Sequence, residues 1–195
     1  NHLLIICLKL IDDNKQKTIL NMLNENDIDF GFYKDNNLNN DFDFGSYYRI
    51  AKKFDDHLIF YLNASSRPET SNWLKLLVNE YEDNSLIGTT ASYESHFSTI
   101  KLKKIYKILS YTYKKLINLI FFKPFPNPHI RTTGFLIYSK NYLEYYRNKN
   151  CKTKFDAWKL ESGKNSLSNF FLKKKFTIKL INADGKSYDI NNWAK

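Results

Sequence analysis

Two arginines, a histidine and a row of neutral oxygens mark the places where this chain can do chemistry. In HLIFYLNASSRPETSNWL, residues 57 to 74, an apolar run ends in Asn63, Ser65, Ser66 and Arg67. Hard divalent cations are held best by carboxylates, and amide and hydroxyl oxygens hold them weakly. No tight metal site is expected at this turn, which leaves at most a weakly bound Mg²⁺ or Mn²⁺ as cofactor. A guanidinium carries fixed positive charge and can meet an anionic group, so Arg67 is one candidate contact; a solvated surface arginine is the simpler reading of it. In FPNPHIRTTGF, residues 125 to 135, Arg131 stands between His129 and Thr132 in a loop framed by prolines. Ordered polar loops carry function more often than core does, which makes Arg131 the better anion contact. His129 titrates near neutral pH and can serve as a base or as a donor to a phosphate, with a structural hydrogen bonder as the plainer alternative. In ESGKNSLS, residues 161 to 168, Ser162, Gly163, Lys164 and Ser166 resemble a small anion-binding turn without the spacing of a phosphate loop. Asp43, ahead of GSYY, reads first as a helix cap and second as a ligand contact.

These residues need elements to hold them. LLIICLKLI (3 to 11) is a continuous apolar run that reads as a buried strand, and KQKTILNMLNEN follows at helical spacing behind an Asp or Asn cap. IDFGFY (28 to 33) suggests a second strand and GSYYRIAKKF (45 to 54) a helix. HLIFYL (57 to 62) is the strongest strand, and SNWLKLLVNEY follows as an amphipathic helix capped by Ser71. SLIGTTAS, TGFLIYS and FTIKLI read as further strands. Strands alternating with helices predict an α/β sheet, mainly parallel and flanked by helices, because each parallel pair needs a crossover. Ligands of such sheets sit outside the carboxyl ends of the strands, which puts Asn63 to Arg67 at the binding edge.

Residues 100 to 123, IKLKKIYKILSYTYKKLINLIFFK, read as one long basic amphipathic helix inserted in a single domain spanning 1 to 195. Such a helix covers either the protein's own core or an anionic membrane surface. Lys and Arg outnumber Asp and Glu by 30 to 20, which suits anionic partners, yet no helix-turn-helix or RNP aromatic motif points to nucleic acid. The two cysteines lack zinc or disulfide spacing, and a reducing, cytoplasmic setting is expected. Lys9, Asp12 and Asp13 end the opening apolar run too early for a signal peptide.

Taken together, DFGSYYRIAKK (43 to 53), FYLNASSRPETSNWL (60 to 74), FPNPHIRTTGFLI (125 to 137), ESGKNSLS (161 to 168) and ADGKSYDINNW (183 to 193) resemble bacterial glycosyltransferase-like proteins related to family 2 glycosyltransferases, found among surface-polysaccharide genes. The match is most specific at HIRT and ESG. The resemblance implies a GT-A fold, a nucleotide-sugar donor and a glycan or lipid-linked acceptor. It implies Glu161 as the catalytic base, Asp43, Asn63, Ser65, Arg67 and Arg131 as donor contacts, and His129, Thr132 and Ser162 as acceptor or phosphate contacts. Asn63 and Ser65 stand where family 2 enzymes carry a metal-binding Asp-x-Asp. The resemblance therefore leaves two expectations: transfer in which arginines meet the diphosphate, at the inner face of a membrane, or a non-catalytic nucleotide- or glycan-binding module on the same fold.

Overall fold

The computed structural model describes residues 2–25 and 29–193; Ile28, where the sequence begins its second strand, lies outside them. Strand β1 (Ile5–Lys9) and strand β2 (Gly31–Asp35) pair in parallel across helix α1 (Asp13–Glu25). Helix α2 (Phe42–Lys53) leads into the main sheet, whose order is β3 (Leu58–Leu62), β7 (Gly134–Tyr138), β4 (Ser85–Gly88), β8 (Thr177–Ile181), β9 (Ser187–Asp189). Between β4 and β7 the chain forms β5 (Ala91–Ser92), α4 (His96–Thr99), a 3-10 turn at Ile105–Lys107, α5 (Ile108–Phe121) and β6 (His129–Ile130), with β5 and β6 paired antiparallel.

The fold is mixed α/β, and the expectation of a mainly parallel sheet is corrected. Strand β7 runs antiparallel to both β3 and β4, β9 antiparallel to β8, and only β4 and β8 run side by side in parallel. The reason lies in where the chain re-enters. It leaves β4 at Gly88, makes its long excursion, and returns at the same edge, where the Thr89 N–H donates to the Gly134 carbonyl at 3.0 Å. A strand that enters from the edge at which its neighbour ended must run backwards, and strand-helix alternation in sequence cannot register this.

Side chains of β7 alternate between the two faces. Phe135 and Ile137 join Tyr61, Leu86 and Ile178 against α2, α6 (Ser139–Tyr146) and α8 (Leu167–Lys173). Leu136 joins Ile87 and Ile181 against Leu77 and Trp73 of α3 (Trp73–Asn79). The first face is aromatic: the Tyr61 ring stacks on Phe135 at 5.0 Å and meets Tyr47 at 4.7 Å, and Tyr142 is fully buried beside them. Helix α7 (Lys154–Ser162) starts at a capping box in which the Thr153 hydroxyl accepts from Asp156 N–H and Asp156 accepts from Thr153 N–H.

A cluster of ions ties the β1–β2 pair to α2. Arg49 forks onto Asp35, with Nε to Oδ1 at 2.8 Å and Nη2 to Oδ2 at 2.5 Å, and onto Asp41, with Nη1 to Oδ2 at 2.6 Å. Lys9 adds an ion pair to Asp41, and the Ser46 hydroxyl donates to Asp35. Gly45 makes room for this: a Cβ there would stand 1.9 Å from Asp41 Oδ2. Gly45→Ala should gain about 1 kcal/mol of helix propensity and lose about 1–3 kcal/mol to overpacking. Displacement of Asp41 from its two cations adds to the loss. A net fall in stability, read by chemical denaturation, is the expected outcome; a stabilised variant would show that Asp41 moves at no cost.

The segment 100–123 also departs from expectation. Its regular part is the 3-10 turn and α5, and residues 101–103 carry no regular structure. Nor does its apolar stripe cover the protein's own core. Leu109, Tyr113, Leu116 and Ile120 point outward, and α5 contains no buried residue.

Candidate functional site

The carboxyl ends of β3, β4 and β8 and the start of β7 share one edge, as the pairings of Leu62 with Gly134 and of Gly88 with both Phe135 and Leu180 require. The strands deliver Asn63, Thr89 and Asn182 there, and β7 is preceded by Arg131, Thr132 and Thr133. This short run is pinned from several sides. Arg131 N–H donates to Thr90 O at 2.9 Å, Asn63 N–H to Thr133 O at 3.2 Å, and Ile130 N–H to the Ser168 hydroxyl at 2.8 Å. The Tyr47 hydroxyl reaches Thr132 O at 3.4 Å.

On one side of the run stands Glu161. Its Oε1 accepts from Thr132 N–H at 3.1 Å and from the Thr132 hydroxyl at 3.3 Å, with Arg131 Nε 3.9 Å away. Among the described residues Oε2 accepts no hydrogen bond, and the side chain keeps 20% of its exposure. Glu161 occupies the last turn of α7, not a first turn, so the helix dipole opposes its charge there and the Thr132 donors offset the cost. Asp43 lies in the first turn of α2, whose cap is Asp41 instead, so Asp43 is not the cap the sequence suggested. It is solvent-accessible at the mouth of the cluster, yet burial among its neighbours raises its carboxyl above the ordinary value, and the nearby Glu161 charge adds to the rise. The two carboxyl groups thus lie within electrostatic reach of each other.

Two histidines complete this side. His129 is buried, and its Nδ1–H donates to Asn127 O at 2.8 Å, which leaves Nε2 as the acceptor of a neutral ring. Burial lowers its affinity for a proton, against the opposing pulls of Asn127 O and Glu161. His96, at the start of α4 behind the Ser95 cap, stacks on Trp158 at 4.6 Å. Burial lowers its proton affinity and the Glu161 charge works against that. The sequence offered no sign of His96 beyond its capping serine, since a four-residue helix has no apolar period to read. The Asn127 amide holds the proline loop to α7 by donating to Ser162 O at 2.7 Å, and its own Oδ1 is buried without a partner.

On the other side of the run a cleft of about 630 Å³ opens, with Thr90, Thr133, Ser66, Arg67, Trp73 and Asn182 among its walls. That size is within the range of about 300–1,000 Å³ common to small-molecule sites. The Thr90 and Thr133 hydroxyls, both in its lining, share a hydrogen bond at 2.6 Å. Asn63 does not present a free ligand atom to the cleft: its Oδ1 accepts from the Ser65 hydroxyl at 3.1 Å and the Ser66 hydroxyl at 2.7 Å, closing the turn on itself. Arg67 is largely exposed and pairs with Glu69 at 3.2 Å. These neutral, already engaged oxygens do not fit a tight Mg²⁺ or Mn²⁺ site, and among the described residues no group of three or more His, Cys, Asp or Glu could hold a metal ion.

The structure thus brings Asp43, His129, Arg131, Thr132 and Glu161 together, sets Ser65 and Arg67 at the cleft, and ties Asn63 to the same run through its N–H to Thr133 O. Ser162 stays apart: it is buried, and its hydroxyl donates to Trp158 O at 3.1 Å, so it does not form an anion-binding turn with Lys164. Burial pushes both cysteine thiols up to about 11, away from the thiolate form that a nucleophile needs. Comparison of the chain with protein-family models, with curated proteins and with solved structures finds no match in any of the three. What the site can do therefore rests on its own geometry.

Proposed function

We propose that the protein transfers a sugar from a nucleotide-sugar donor to a hydroxyl of a glycan or lipid-linked acceptor, on a GT-A-like sheet edge. The observation that carries this reading is Glu161, with Oε2 left open and Oε1 fixed by Thr132, the residue next to Thr133 in the wall of a ligand-sized cleft. Oε2 takes the acceptor hydroxyl's proton as that oxygen bonds to the sugar carbon and the nucleoside diphosphate leaves. Charge that develops on the leaving diphosphate is met by Arg131, whose guanidinium is half exposed and engages only Glu161 among the described residues. The cleft hydroxyls of Thr90 and Thr133, with Arg67 at the rim, hold the donor. The engaged Asn63 oxygen favours a second reading, a binding module on the same frame that does not catalyse.

Calorimetric titration with UDP-, GDP- and dTDP-sugars tests the reading. One of them should bind, and Thr133→Val should weaken that binding about 2- to 12-fold, the worth of one hydrogen bond. Absence of binding by all three to the folded chain overturns it.

A further inference from the structure

Helix α5 is amphipathic in the inverted sense. Leu109, Tyr113, Leu116 and Ile120 recur at helical spacing on its outer side and are 84, 66, 57 and 64% exposed. Its inner side is mixed, with Tyr111, Lys115 and Asn118 half-buried; Lys115 Nζ donates to Phe97 O at 2.8 Å and sits 4.2 Å from the Phe97 ring centre. The C-terminal end is anchored, with Phe122 fully buried and Phe121 O accepting from Lys164 N–H at 2.8 Å. Ahead of the helix Ile105 and Tyr106 are 85 and 72% exposed. Residues 101–121 contain Lys101, Lys103, Lys104, Lys107, Lys114 and Lys115 and no acidic residue.

An apolar face this continuous is normally covered in use. A second copy of the chain would bring two such lysine-rich segments together with no acid in either to pair them. An anionic lipid surface meets both needs, with acyl chains for the stripe and phosphates for the lysines. We propose that α5 and the lysine-rich turn before it lie in the surface of an anionic phospholipid bilayer. The helix lies flat, because 14 residues at about 1.5 Å each fall short of the roughly 30 Å hydrocarbon core. No helix among the described residues is long and apolar enough to cross a membrane. Tyr106 and Tyr113 suit the headgroup level. This inference stands apart from the transfer reaction and survives or fails without it.

Flotation with vesicles of phosphatidylcholine alone, or mixed with phosphatidylglycerol, tests it. Binding to the mixed vesicles and not to the neutral ones is expected, weakening as salt is raised. Leu109→Asp and Leu116→Asp change exposed positions, so melting should be unaltered while partition falls about tenfold or more for each. Gln in place of Lys101, Lys103 or Lys104 should lower partition about fivefold per residue. No binding to mixed vesicles, equal binding to neutral ones, or equal binding by these variants overturns the proposal. So does a wild-type dimer that Leu109→Asp converts to monomer, since a second copy would then own the face.

Discussion

Arg49→Ala is expected to lower stability by about 3 kcal/mol, the lower end of the cost of stranding a buried charge, because Arg49 keeps some solvent access. The loss comes less from the missing attraction than from the two nearly buried carboxylates, Asp41 being left with Lys9 as its one cation among the described residues and Asp35 with neutral donors only. Arg49→Lys should recover little, since an ammonium cannot fork onto two carboxylates. The same cluster fixes a pH signature. Burial pushes the Asp35 and Asp41 carboxyls up, but the hydrogen bonds from Arg49, with Ser46 on Asp35 and Lys9 on Asp41, outweigh it and hold both below 3.8. A lowered folded value contributes stability above the unfolded value, and that stability is lost as pH falls through the folded one. Wild-type stability should therefore decline as pH falls below about 4. In Arg49→Ala only the neutral donors Ser46 and Asn37 N–H oppose the burial effect on Asp35, its carboxyl rises, and mild acid should relieve the variant. The gap between the two proteins, measured by urea denaturation at pH 7 and in mild acid, should narrow in acid. A constant gap would mean that the carboxylates find other partners.

Glu161→Gln is expected to cut transfer by about 10²- to 10⁴-fold, the usual worth of a positioned base. Gln keeps an oxygen for Thr132, so the melting point and the donor affinity should change little, and the loss should fall on kcat rather than KM. Unchanged turnover would remove Glu161 from the chemistry. A parent protein that binds donor and turns nothing over would leave the non-catalytic module as the better reading.

Much of the site was legible because its residues sit in short polar runs that interrupt apolar ones: HIRTT before a strand, ES at a helix end, DFGSYY at a helix start. The order of strands was not. Periodicity reports which side of an element is apolar, and β7 has the same alternation whichever way it runs. The partner of Asn63 was equally hidden, since its spacing from Ser65 and Ser66 looks alike whether the amide faces a ligand or its own turn. The outward stripe of α5 reads from sequence as a face for the core or for a membrane surface alike, because a pattern records that an apolar face exists and not what meets it. His96 and Trp158 are brought to the site from positions with no local pattern, by the packing of α4 on α7.

The backward run of β7 has a consequence of scale. Thr132 holds the Glu161 carboxylate, Thr133 stands in the wall of the cleft, and one trans peptide, about 3.8 Å from Cα to Cα, separates the two threonines. The spacing between these two anchor points is thus set by backbone covalent geometry, which neither side-chain repacking nor helix movement can stretch.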